Sequence, residues 1–293
     1  MTAQRTGRLL QALRQRTPST VRHAARRWRA TCWRLADAVR RPPSDHLVPP
    51  RHLAHFVGGG DFEAQGELHL HFFVKLGGLR PGDHVLDVGC GIGRMALPLT
   101  GFLSPDGRYC GFDIVPEGIA WCRAQIAATH PNFQFEVADI HNAMYNPAGT
   151  QRARDFRFPH PDGWFDFQFS TSVFTHMLAA DLAHYVAEIA RVLAPGGRCL
   201  NTFFLVNAES TRLIAAGRST RDIRHPLDGC FTLDRAVPEE AVGYDEAVIR
   251  ALFARHDLAI VEPIHYGSWC GRSDFVAYQD MIVTEKLDPA ARP

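Results

Sequence analysis

Three glycines at alternate positions, Gly89, Gly91 and Gly93, follow an apolar run that carries one acid, Asp87, in the stretch VLDVGCGIGR (85–94). Glycines at this spacing let a backbone turn sharply and approach a ligand closely. A dinucleotide fingerprint needs G-x-G-x-x-G, and Arg94 stands where its last glycine should be. A Walker-type phosphate loop is excluded because no Gly-Lys-Ser or Gly-Lys-Thr follows. The acid ahead of the loop is out of place at a phosphate site and suits a ligand with an ammonium group. Two further acids close apolar runs: Asp113 in RYCGFDI (108–114) and Asp139 in FQFEVAD (133–139).

For proton transfer the first candidate is His176, in SVFTHM, whose intrinsic pKa near ~6.5 suits a general base. A histidine that caps the next helix or lines a pocket is the equal alternative. Asp155, His160, His225, Asp245 and His265 with Tyr266 are further polar candidates in irregular stretches, each more typical of a loop or surface. The HLH stretch at 69–71 invites a metal reading, but alternate positions on a helix face apart, so no metal site is expected. FVGGGDF (56–62) could close over one end of a bound ligand or serve only as a hinge.

The elements that must position these residues alternate along the chain. A helix is expected over 68–79, ending at Gly77-Gly78, and a buried strand at 84–89. Helices over 94–103 and from Pro116 to about 129 flank a strand at 108–114, with proline at a helix start as its geometry favours. Strands follow at 133–139 and 165–170, separated by an irregular stretch, 141–163, too long for a simple connection. A helix over 181–193 leads to a strand at 198–206. Residues 207–243 break the rhythm; a helix at 244–256 and strands at 258–265 and 275–284 close the chain. Such alternation predicts an α/β fold: Rossmann-like and doubly wound, a mostly parallel seven-stranded sheet with helices on both faces.

VLDVGCGIG resembles the first motif of class I S-adenosylmethionine-dependent methyltransferases, and the later motifs follow in order over about residues 65–206. The resemblance implies S-adenosylmethionine as cofactor, held by Asp87, Gly89, Gly91 and Gly93. It places Asp113, with Ile114, on the ribose hydroxyls, Asp139 and Ile140 at the adenine, and Ser170 at the lip beside the methyl. ARVLAPGGRCL resembles the helix-turn-strand that follows in this family. FVGGGDF, GRMALPL, SVFTHM and HYGSWCGR are similar to stretches of a bacterial group whose members tailor glycans and secondary metabolites. The implied reaction is in-line O-methylation of a sugar or other small-molecule hydroxyl. N-methylation of a small amine, a nucleotide-cofactor oxidoreductase and a non-catalytic cofactor-binding scaffold stay open as alternatives.

Composition sets the outer bounds. Residues 1–41 carry eleven arginines and one acid, Asp37, so this arm is about +10 and the remaining residues about −9 of a net +1. An acidic body argues against nucleic acid as a partner, and FSTS stands where a nucleic-acid methylase would carry its N-P-P-type stretch. In the arm, Val21, Ala25, Trp28, Cys32, Leu35 and Val39 form one helical stripe, with arginines on the other faces. Such a helix suits contact with an anionic membrane surface or another protein, and equally a poorly ordered tail or an organelle leader. The proline-rich segment 41–51 opens an expected linker over 42–67, ahead of a methyltransferase-like domain expected over 68–293 with insertions at about 141–163 and 207–243. Seven scattered cysteines without a C-x-x-C pair fit a reducing compartment, and the expected location is cytoplasmic or peripheral to a membrane.

Overall fold

The computed structural model describes residue 28, residues 49–54, 60–143, 145–288, and residue 290. Most of the arm and most of FVGGGDF therefore lie outside the described residues; Trp28 is exposed.

Helix α1 spans Phe62–Lys75, six residues earlier than expected, because Asp61 caps it by accepting from the Ala64 N–H at 2.8 Å. It thus begins inside the segment read as linker. Strand β1 (His84–Val88), helix α2 (Ala96–Phe102) and strand β2 (Arg108–Asp113) follow. Helix α3 (Pro116–Cys122) runs on into a π-helical turn, Arg123–Ala127, before β3 (Phe133–Val137). Next come β4 (Phe165–Ser170), α4 (Ala179–Val192) and β5 (Leu193–Phe203). The register between β4 and β5 jumps from Phe165–Leu193 to Phe167–Arg198, so the expected Pro195–Gly197 turn is looped out as a bulge within one strand.

The main sheet has seven strands in the order β10-β11-β5-β4-β1-β2-β3. β1 to β5 pair in parallel, and β11 (Asp280–Lys286) runs antiparallel to β5 and to β10 (Leu258–Ile260). This is the expected doubly wound, mostly parallel sheet. Alternate residues of β1 feed two cores: Val85 faces α1, α2 and α3, while Leu86 and Val88 face α4 and helix α6 (Glu246–Arg255). Phe73 of α1 stacks on Phe169 of β4 with centroids 4.1 Å apart, contributing roughly 1 kcal/mol beyond burial.

The segment 207–243 holds more than a break in rhythm. β6 (Leu205–Val206), helix α5 (Ala208–Ala215), β7 (His225–Leu227), β8 (Cys230–Thr232) and β9 (Val242–Asp245) lie here or at its borders. The four strands form a second sheet, β6-β9-β8-β7. The last two expected strands are shorter or displaced. Pro263 has no N–H to extend β10, and the chain from Tyr266 to Gln279 instead folds around Asp280. That buried carboxylate accepts from the Leu205 and Gly267 N–H groups and Trp269 Nε1, each at 2.7 Å, and from Arg272 at 2.9 Å.

Candidate active site

A cavity of about 1070 Å³ opens where β1, β2 and β4 end, at the point where strand order reverses. Open parallel sheets bind ligands at this position. Volumes of ~300–1,000 Å³ are usual for one small-molecule site, so this cavity has room for a cofactor and an acceptor together.

The glycine loop forms one wall. Gly89, Gly91 and Gly93 have φ of 81°, 57° and 76°, a region that side-chain-bearing residues rarely adopt. Gly89 and Cys90 both donate to the Phe112 carbonyl, at 2.9 and 3.0 Å. Asp113 then ties two loops together: its Oδ2 accepts from Gly91 N at 2.8 Å and its Oδ1 from Val115 N at 2.9 Å. Burial raises its pKa, and these N–H groups pull the other way. Each oxygen keeps a lone pair for a ligand hydroxyl. Asp87 is buried in the same wall and accepts from the Tyr109 hydroxyl at 2.6 Å. Burial pushes its pKa up to about 8, with the Asp113 charge adding to the rise and the Tyr109 hydrogen bond opposing it.

Ile114 and Ile140 also line the cavity. Three expected cofactor residues do not. Asp139 is exposed, and its carboxylate accepts from the Thr150 N–H at 3.2 Å and from the Thr150 hydroxyl, stapling the 141–150 loop instead of facing a ligand. Ser170 is buried beneath the lip and donates to Asn201. Gly93 serves packing: a Cβ there would lie 2.7 Å from Ile126 Cδ1.

His176 does line the cavity, in a 3-10 turn, Phe174–His176. Its Nδ1 lies 2.8 Å from the Glu239 carbonyl, which can only accept, so the neutral ring carries its proton on Nδ1 and leaves Nε2 as the basic nitrogen. The other polar candidates lie off this wall. Asp155 and His225 are exposed, and Asp245 caps α6. His160 meets Phe165 edge-on, His265 pairs with Met281 in the backbone, and Tyr266 donates to Glu246. No group of three metal-ligating residues exists among the described residues; His69 of the HLH stretch contacts the Gln65 carbonyl at 2.7 Å.

The insertions at about 141–163 and 207–243 also reach the cavity wall, though the individual residues there were not singled out from the sequence. Tyr145, Tyr185, Asp181, Glu239 and Gln279 contribute to it. Burial raises the pKa of Glu239, and the Asp181 charge raises it further, so two carboxyl groups share this space. The irregular segment 141–163 is divided. Residues of its first part reach the cavity, while Arg191 anchors the later part by donating to the Phe158 and His160 carbonyls at 3.0 and 2.9 Å.

Residues 85–197 match the family described as a methyltransferase domain. This stretch is a methyltransferase domain. Among relatives, a demethylmenaquinone methyltransferase of Symbiobacterium thermophilum is 34% identical over 126 residues, covering 43% of this chain and 44% of that one. A 27-O-demethylrifamycin SV methyltransferase of Amycolatopsis mediterranei is 28% identical over 156 residues, covering 53% of this chain and 51% of the other. The chain thus spans about half the length of these relatives. The fold matches a Pyrococcus horikoshii protein (TM-score 0.54, 16% identity, 78% of this chain and 93% of that one). It also matches a Methanosarcina mazei S-adenosylmethionine-dependent methyltransferase (TM-score 0.50, 20% identity, 73% and 97%).

The cofactor of such a domain is S-adenosylmethionine, and the wall of the methyltransferase domain fits it. The Asp113 carboxylate sits at a strand end with capacity for two vicinal hydroxyls, as the ribose requires. Asp87, a desolvated acid, suits an ammonium group. The fit for adenine rests on Ile114, Ile140 and the start of the 141–145 loop, without Asp139. Among the described residues no helix is long and apolar enough to cross a membrane.

Proposed function

We propose that this chain methylates a hydroxyl of a sugar or other small molecule, with His176 as the base. When bound, the cofactor supplies an activated methyl group on a sulfonium. The task left to the protein is alignment and removal of one proton. The observation that carries this reading is His176 in the cavity wall, its Nδ1 held against the Glu239 carbonyl so that Nε2 is the proton acceptor. Asp113 and the glycine loop hold the donor, and the chamber beside Tyr145 and Glu239 receives the acceptor. The Amycolatopsis mediterranei relative, named 27-O-demethylrifamycin SV methyltransferase, supports an oxygen acceptor. A second reading, N-methylation of a small amine, is favoured by the Asp181 and Glu239 carboxyl groups in the same chamber.

The test is transfer of a labelled methyl group to panels of sugars, phenols and amines. Hydroxyl acceptors should be labelled, and His176→Ala should lower turnover by roughly a hundredfold or more with S-adenosylhomocysteine affinity kept. Labelling confined to amines would select the second reading, and full turnover in His176→Ala would remove the base role. Cofactor binding with no transfer to any panel would favour a non-catalytic scaffold.

A further inference from the structure

We infer that Gln279, oriented by Ser172, recognises a second, neutral hydroxyl of the acceptor beside the one that reacts. The inference rests on the reading of the chain as a methyltransferase acting on a hydroxyl, and it gives the buried cluster around Asp280 a purpose in the site.

Three strand ends meet in this part of the cavity wall. β11, β5 and β4 are neighbours in the main sheet, and Gln279, Thr202 and Ser172 stand at their adjoining ends. The Ser172 N–H donates to Thr202 Oγ1 at 2.8 Å, and Ser172 Oγ donates to Gln279 Oε1 at 3.1 Å. Ser172 has φ of 61°, a left-handed conformation that a serine holds only where its surroundings enforce it. The Thr202 contact is such a constraint, and it directs the Ser172 hydroxyl across the sheet toward Gln279.

Gln279 is fixed from behind by its own neighbours. Asp280, next in the chain, is fully buried and takes the Gly267 N–H, Trp269 Nε1 and Arg272. The Ser268 and Trp269 N–H groups donate to the Ala277 and Tyr278 carbonyls at 2.9 and 3.0 Å. A Cβ on Gly267 would lie 2.4 Å from the Gln279 carbonyl carbon, so the two segments close up only because position 267 has no side chain. HYGSWCGR (265–272) is therefore a clamp, and what it holds in the cavity wall is Ala277, Tyr278 and Gln279.

The chemistry presented there is neutral. With Oε1 taken by Ser172, Gln279 offers its Nε2 amide, which only donates, while Ser172 Oγ keeps lone pairs that accept. The Thr171 hydroxyl, buried in the same wall, has no partner among the described residues. A hydroxyl both donates and accepts, so it satisfies this pair, whereas a charged group finds no opposite charge on it. An acceptor lacking that hydroxyl leaves the amide desolvated and unpaired, which is how such sites discriminate. Held at one hydroxyl by Gln279, the acceptor presents another to His176 in the same cavity.

Labelled-methyl transfer tests this on hexoses with their monodeoxy forms, on catechol with phenol, and on primary amines. Polyhydroxylated probes should be labelled, and one analogue lacking a single hydroxyl should show KM raised roughly tenfold. Gln279→Met should raise KM for the parent compound by roughly tenfold, leave that analogue within about twofold, and keep S-adenosylhomocysteine affinity within about twofold. An equal rise for the parent and every analogue, or a rise for neither, would overturn the role of Gln279. Transfer confined to phenol or to amines would overturn it too, with the methyltransferase reading intact; transfer to no probe would overturn both. Should Gln279→Met fail to fold, Ser172→Gly is read in the same way. Glycine accepts the φ of 61° without strain and removes the hydroxyl that orients the amide.

Discussion

The cofactor wall comes largely from two loops at adjacent strand ends, 87–95 and 112–115, joined through the Asp113 carboxylate. The rest of the cavity lining is gathered from residues as distant as Tyr145, Arg221, Glu239 and Gln279. The first wall is short-range in sequence and built from backbone N–H groups and glycine torsions, which leave little freedom to vary. The second depends on a small extra sheet and on the chain folded around Asp280, so its shape is set by long-range packing. A wall of the first kind suits a constant ligand; one of the second kind can be re-cut for a new acceptor without disturbing it.

The contrast predicts that single backbone changes break the first wall. Gly89 carries φ of 81°, and a Cβ there would lie 2.3 Å from Val173 Cγ2. Gly89→Ala should therefore destabilise the protein by roughly 2 kcal/mol or more, from backbone strain and overpacking together, and abolish S-adenosylhomocysteine binding. Denaturant unfolding of Gly89→Ala and of Gly89→Ala/Val173→Ala separates the causes. The second change should recover the collision part and not the torsion part. Unchanged stability and binding in Gly89→Ala would show the loop to be as adaptable as the acceptor chamber.

A smaller loss is expected at Asp113. Its carboxylate holds the Gly91 and Val115 N–H groups and, on the present reading, the ribose. Asp113→Ala should weaken S-adenosylhomocysteine and 5′-methylthioadenosine alike, by roughly tenfold, because both carry the ribose. This differs from the acceptor-side loss expected at Gln279, which leaves cofactor affinity in place. A loss confined to S-adenosylhomocysteine, which alone of the two carries the amino-acid end, would move Asp113 to that end.

How much of this was legible in the sequence follows the same division. The glycine loop and Asp113 were readable because each is a local pattern after a buried strand, and the sheet because apolar runs alternate with helical ones. Asp139 misled because an acid at a strand end can equally staple its own loop, and it does so through Thr150. The second sheet was invisible: β7 and β8 are three residues each, too short to show alternation. FVAYQ (275–279) reads as a strand, yet Phe275, Val276 and Tyr278 are exposed and the strand starts at Asp280. The insertions at 141–163 and 207–243 showed as breaks in the rhythm and do bring Tyr145, Arg221 and Glu239 to the cavity, but no local pattern marks those three residues, since only the completed fold sets Tyr145 near Glu239.

The finest difference between the two walls is electrostatic and concerns Asp87. Its pKa in the fold, about 8, lies well above the ~3.9 of an unfolded aspartate. Between these values the folded, ligand-free protein holds a proton that the unfolded chain has lost, so Asp87 makes stability fall as pH rises from about 4 to 8. An ammonium ligand reverses the preference by favouring the carboxylate, so binding below pH 8 must release that proton. The neighbours do not blur the effect: the Tyr109 hydroxyl and the Cys90 and Cys122 thiols are all pushed upward and stay neutral in this range. Asp113, also raised, adds negative charge that keeps the Asp87 pKa high. S-adenosylhomocysteine affinity should therefore strengthen by a few-fold from pH 6.5 to pH 8, within the limit of about tenfold per unit for one proton. 5′-methylthioadenosine, without the ammonium, should show no such slope, and Asp87→Asn should flatten the slope for S-adenosylhomocysteine. A slope that survives in Asp87→Asn would assign the proton to another group and leave the ammonium without its acid.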